Sequence, residues 1–280
     1  MLCKMCEFNT ATTSEGHCDV CTQVAAAQAA PPSRASGSVP PGGRPAHLRS
    51  PVGLGWAVVA LLGLVILADL YSLWAGTLQR SVMDDIITGD HGADIQRDAE
   101  RADSLYGYSG IAQITALVAT CAVFLAWFYR VRVNAEVFEP HIHHKTRGWT
   151  IGGWFVPIVN FWFPRRIALD IWDASSDRSV ALNRTLTLDP KVSRTSHPLI
   201  NAWWTVWVAN LLIARATYQT YEGAEEAEET KSALTGVMFS DALDIAAAVL
   251  AIVFVLRLTR MQDLKARSGG PLQQSLAQSL

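Results

Sequence analysis

Apolar positions in this chain come in long unbroken blocks, with neither the strict alternation of a half-buried strand nor the polar-faced stripe of a surface helix. Residues 53–74 read GLGWAVVALLGLVILADLYSLW, with Asp69 the only charge. The stretch from Ser104 to Tyr129 has no charge and holds a second block at about 109–130. A third block lies at about 198–219 with Arg215 its only charge, and a fourth at about 236–256 carries Asp241 and Asp244 near its start. By hydropathy the fourth is the least pronounced, although its second half reads AAAVLAIVFVL. A hydrocarbon core of about 30 Å needs roughly 20 residues of helix. The blocks therefore predict an all-α polytopic membrane bundle of four transmembrane helices, over residues 52–265.

A fifth apolar stretch, GWTIGGWFVPIVNFWFP at 148–164, is broken by glycines and prolines and followed at once by Arg165 and Arg166. Charge decides its fate. With four spans, the amino-terminal tail, the central segment and the carboxyl tail hold four, ten and four cationic residues, against four in the two loops on the other side. The positive-inside rule then puts both termini in the cytoplasm of a cell-membrane protein. A fifth span would move six of the central cations outside. Residues 148–176 are instead expected as broken helices at the inner interface, covered by protein where they dip. Trp56, Trp127, Tyr129, Trp203 and Trp204 are expected in an inner aromatic belt, and Tyr71, Trp74, Tyr106, Tyr108, Tyr218 and Tyr221 in an outer one. In the helix RRIALDIWDASSD, Ile167, Ile171 and Trp172 share one face, and Arg166 and Asp170 stand at i, i+4.

Composition agrees. Half of the 280 residues are hydrophobic, 17% are charged, and the mean hydropathy is +0.18, values that exclude a disordered chain and an ordinary soluble domain. A net charge of −2 gives no global basic field, so no nucleic-acid partner is expected.

Four of the five cysteines lie in the first 21 residues, as Cys3-x2-Cys6 and Cys18-x2-Cys21. Two such knuckles suit tetrahedral Zn2+, so residues 1–21 are expected to form a small zinc-ribbon-like module with a structural metal. Residues 22–51, rich in proline and alanine, read as a flexible linker, and 266–280 as a flexible cytoplasmic tail. The ribbon could dock a cytoplasmic protein partner. His141, His143 and His144 form a run that either binds metal or is solvated.

The stretch GWTIGGWFVPIVNFWFPRRIALDIWDAS resembles the signature of the domain of unknown function 4328 family, through Gly148, Trp149, Gly153, Trp154, Phe155, Pro157, Asn160 and Pro164. The resemblance covers roughly 52–265. It implies a bacterial membrane protein, typically of four spans and often with a cysteine-rich amino-terminal module. It implies no activity.

Asp69, Arg215, Asp241 and Asp244 all fall in the outer half of their spans, as an intramembrane charge cluster. Pairing of Arg215 with Asp69 or Asp244 would offset the cost of burying them; snorkelling, or a proton or ion path, are the other readings. No phosphate-binding loop, nucleophile elbow, HExxH or dinucleotide fingerprint is present. The expected function is a non-enzymatic membrane scaffold or sensor. A small transporter or channel using the outer-half charges is the alternative, and an intramembrane enzyme comes third.

Overall fold

The long uncharged blocks fold as helices because only a helix satisfies every backbone donor and acceptor within its own segment where water is absent. The computed structural model describes residues 48–89, 92–176 and 197–278, with backbone alone at 93 and from 268 onward. Six α-helices are found among them: α1 (Val52–Ile87), α2 (Ala93–Phe138), α3 (Trp149–Phe155), α4 (Phe163–Ser175), α5 (Pro198–Glu222) and α6 (Ala227–Gln278). A single 3-10 turn, Val159–Phe161, joins α3 to α4. The amino-terminal cysteines and nearly all of the linker lie outside the described residues.

Three helices, α1, α2 and α6, are long and apolar enough to cross a membrane, which makes the chain a multi-pass membrane protein by length and composition. α5 is long enough at 25 residues. It falls short on apolarity, because Asn201, Trp203, Trp204, Trp207, Asn210 and Arg215 interrupt its aliphatic residues. The weakest block by hydropathy is therefore the third and not the fourth. α6 holds an apolar window of mean hydropathy 2.2, and its backbone stays helical into the stretch expected as a tail.

The four long helices pack in the order α2, α1, α6, α5, each along the next. Gly55 brings α1 and α6 together at one end: a Cβ there would sit 2.7 Å from Thr259 Oγ1, a contact no side chain tolerates. Thr259 Oγ1 in turn accepts a 3.1 Å hydrogen bond from the indole of Trp127 on α2. At the opposite end Gln79 of α1 donates to Asp103 of α2, and Lys231 of α6 pairs with Asp84 of α1.

α2 and α5 do not pack along each other. The gap between them is filled at one end by the collar formed by α3, the 3-10 turn and α4. Trp154 of α3 is the wedge. Its ring makes edge-on contacts with Phe124 and Phe128 of α2 at 5.5 and 6.0 Å, and with Trp204 and Trp207 of α5 at 5.9 and 5.7 Å. Phe254 of α6 stacks on Trp203 at 4.9 Å and meets Trp127 edge-on at 5.8 Å. The result is an aromatic slab across the bundle. Trp127, Trp203 and Trp204, expected in the inner aromatic belt, are buried in it. Trp56, Trp74, Tyr108, Tyr129 and Tyr218 do face outward.

Candidate functional site

Two strata of polar residues lie on either side of the slab. The distal stratum holds the three aspartates singled out in the sequence. Asp69 of α1 is 2% exposed and Asp241 of α6 is 8% exposed. One side chain of α2 joins them: Gln113 Nε2 donates to Asp69 Oδ1 at 2.9 Å and to Asp241 Oδ1 at 3.1 Å. Asp244, one turn along α6, accepts from Asn210 Nδ2 of α5 at 3.0 Å, and the Asn210 carbonyl accepts from Ser240 at 2.9 Å. All four long helices thus meet at one level through polar side chains. Asp69 Oδ2 is buried with no donor among the described residues.

Arg215 is not part of this layer. Its side chain is exposed and makes no ion pair with any described carboxylate. The helical phase explains this: Asn210 and Arg215 are five residues apart, which turns them to different faces of α5. Gln113, Asn210 and Ser240 were not singled out from the sequence. Their signal was an amide or hydroxyl inside an otherwise apolar run, which in hydrocarbon needs a partner as a charge does.

The second stratum lies at the collar end, where charges are matched. Arg132 of α2, 2% exposed, pairs with Glu136 at 2.6 Å and donates to the Lys145 carbonyl at 2.7 Å. Glu136 also takes Arg147. Asp170 of α4 accepts from the His144 backbone N–H at 3.0 Å and faces its Nδ1 at 3.1 Å. The histidine run is therefore neither a plain solvated stretch nor a metal cluster: His144 is tied to Asp170, and His143 is half-buried. Burial first, then the nearby Arg132 guanidinium, holds the His143 imidazole below its ordinary value. Gln262 of α6 donates to the Val131 carbonyl and to Ser175 at 2.8 and 3.1 Å. Lys265 caps the end of α4 through the Ala174 and Ser176 carbonyls.

The motif residues build the collar itself. Gly153 lets α3 lie against the start of α4, since a Cβ there would stand 3.3 Å from the Phe163 Cβ. Pro164 opens α4, where its missing N–H costs nothing. Pro157 precedes Ile158, which has φ 69° and ψ −54°, with Val159 N–H bonded back to the Pro157 carbonyl at 2.7 Å. This is a γ-turn of the strained, positive-φ kind, unusual for a β-branched residue. The Trp204 indole donates to the Phe161 carbonyl at 3.0 Å and pins the turn to α5. Asn160 Oδ1, Trp154 Nε1 and Thr150 Oγ1 are buried without hydrogen-bond partners among the described residues. Gly148 and Trp149 open α3, and Phe155 ends it with its ring exposed.

Among the described residues, no group of three histidine, cysteine or acidic side chains is placed to hold a metal ion. The zinc expectation on Cys3, Cys6, Cys18 and Cys21 falls outside those residues. Cys121 of α2 is a free thiol.

A helical multi-pass bundle closed by an aromatic collar defines an integral membrane protein. The chain belongs to the family described as Domain of unknown function (DUF4328), whose model matches residues 91–260. The match takes in the collar and α2, α5 and most of the apolar part of α6, and leaves α1 outside. No curated protein and no solved structure matches the chain.

Proposed function

We propose that this protein crosses the cell membrane four times, with α5 as the third span and both termini in the cytoplasm, and works as a non-enzymatic sensor. The distal carboxylate layer lies in the outer half of the bilayer and takes up protons. The collar forms its cytoplasmic floor. The observation that carries this reading is the layer itself: three carboxylates from two helices, bridged by amides from the other two, with no cationic side chain in contact among the described residues. Low-dielectric surroundings do not accommodate three uncompensated charges, so their charge must be met by something that arrives. The described acids lack the arrangement of a metal site, which favours the proton.

A conduit is the weaker reading. Trp127, Trp154, Trp203 and Phe254 stand between the carboxylate layer and the polar stratum at the collar. On the cytoplasmic side, the zinc ribbon of Cys3, Cys6, Cys18 and Cys21 would pass the signal to a protein partner. That part rests on cysteine spacing alone.

The test is amide hydrogen exchange of the full chain in lipid nanodiscs between pH 5 and 8. Protection factors in α1 and α6 around Asp69 and Asp241, corrected for the intrinsic pH dependence of amide exchange, should change with pH in the wild type and lose that dependence in Asp69→Asn/Asp241→Asn. Liposomes holding the protein should show no proton flux above empty controls. Flux abolished by Asp244→Asn would replace the sensor by a transporter.

A further inference from the structure

The surface of the collar combines features that the bundle's packing does not use. Phe155, Ile158 and Trp162 are 70%, 67% and 52% exposed, although they sit in a segment held on both sides by buried aromatic contacts. The same collar carries two cations with no acidic partner among the described residues. Lys145 Nζ lies 4.1 Å over the Phe163 ring and touches no described carboxylate. Arg165 is oriented by the Asn201 carbonyl, at 3.2 Å from Nε and 2.7 Å from Nη2, again with no described carboxylate in contact. Their neighbours differ: Arg132 and Arg147 share Glu136, and Arg166 leans on Asp170. The protein spends its acids on those three and leaves Lys145 and Arg165 for something else.

Position says what that is. Gln113 lies at the level of the carboxylate layer, and Phe128, in contact with the collar wedge, lies fifteen residues further along α2. At 1.5 Å per residue the two levels are about 22 Å apart, which sets the collar near the opposite face of a hydrocarbon core of about 30 Å. Exposed rings at that depth face acyl chains, and cations beside them face headgroups. A soluble protein partner would have to enter the hydrocarbon boundary to cover Phe155 and Ile158.

We infer that the collar is a binding site for an anionic phospholipid of the cytoplasmic leaflet: Lys145 and Arg165 take the phosphate-bearing headgroup, and Phe155, Ile158 and Trp162 lie along its acyl chains. This rests on the membrane-crossing reading above but goes beyond it, because a spanning protein needs no headgroup preference. The chemistry that recognises the lipid is a negative headgroup next to a hydrocarbon tail. Neither part alone fills the site.

The experiment is native mass spectrometry of the full-length protein, delipidated in mild detergent and titrated with phosphatidylglycerol, phosphatidylcholine or inorganic phosphate. Wild type should retain phosphatidylglycerol with a preference of roughly twentyfold over phosphatidylcholine, as expected for two cations at a headgroup. Inorganic phosphate should not compete. Lys145→Gln/Arg165→Gln should bring the preference near one, whereas Arg80→Gln, at the far end of α1, should leave it intact. If the double variant aggregates, Lys145→Gln alone, which removes no hydrogen bond among the described residues, should still lower the preference about fivefold. Equal retention of the two lipids by wild type, or a preference that survives the substitutions, overturns the inference. Competition by phosphate alone overturns it as well, since the site would then be one for a free anion. Failure of the spanning reading would look different: the chain would be released from membranes by alkaline carbonate whatever its lipid preference.

Discussion

The two polar strata of this bundle solve the same problem in opposite ways. At the collar, charge meets opposite charge: Arg132 with Glu136, Arg147 with the same carboxylate, and Asp170 with Arg166, Asp170 also accepting the His144 backbone N–H. In the distal layer, Asp69, Asp241 and Asp244 meet only the amides of Gln113 and Asn210 and neighbouring hydroxyls. A matched network is rigid, because moving any member strands another. An unmatched layer holds its geometry only while its charge is compensated from outside. On the function proposed above, the collar is the fixed end of the molecule and the carboxylate layer the responsive one.

The largest effect should come from removing the wedge. Trp154→Ala opens a cavity where α2, α3 and α5 meet, and should cost about 3–5 kcal/mol, read as loss of thermal stability in detergent. Arg132→Met should follow, at about 3 kcal/mol, because it frees the Lys145 carbonyl and leaves Glu136 to Arg147 alone. If the strata are as different as argued, Gln113→Leu should cost less, about 1–3 kcal/mol, for two carboxylates deprived of one shared donor. A Gln113→Leu loss larger than that of Trp154→Ala would reverse the assignment of fixed and responsive ends.

Two smaller effects sharpen the contrast within the collar. Ile158→Gly relieves a positive φ that only glycine adopts freely, and should raise stability in detergent by about 1 kcal/mol while removing an exposed apolar side chain. His143 supplies the pH dependence. Its imidazole is held below the ordinary value of 6.5 in the fold, so the unfolded chain takes up a proton first. The stability it contributes is whole above pH 6.5 and is lost as pH falls through the lowered folded value. His143→Gln should flatten that part of a pH-stability curve, and an unchanged curve would show that burial there is not felt.

Helical class and the approximate places of the apolar blocks were legible in the sequence, because a block of aliphatic residues that long admits few other structures. The Gly-Trp motif was legible as a broken segment for the same reason: Gly153, Pro157 and Pro164 each interrupt a regular helix. The partnership of side chains was not. For Arg215 the sequence left open pairing with an aspartate and snorkelling; its phase on α5 turns the side chain away from the layer and leaves it exposed. Gln113 and Asn210 took its place, and nothing in a linear reading says that an amide on α2 will reach α1 and α6 together. The tryptophans misled in a related way. Trp127, Trp203 and Trp204 were expected at interface depth, yet depth does not say whether a ring faces lipid or the α2–α5 gap. Trp203 and Trp204, with Trp207, also dilute α5, which is why the apolarity of the third block falls short of the other three.

The decisive measurement is the topology of α5. In a background with Cys3, Cys6, Cys18, Cys21 and Cys121 replaced by serine, single cysteines at Gly89, Gly148 and Glu225 are treated with a membrane-impermeant maleimide in intact cells. Labelling at Gly89 and Glu225, with Gly148 reached only after permeabilisation, is the pattern of four crossings with the collar inside. Protection of Glu225 while Gly89 labels would mean that α5 does not cross, and the carboxylate layer would then have no outer face from which to draw its protons.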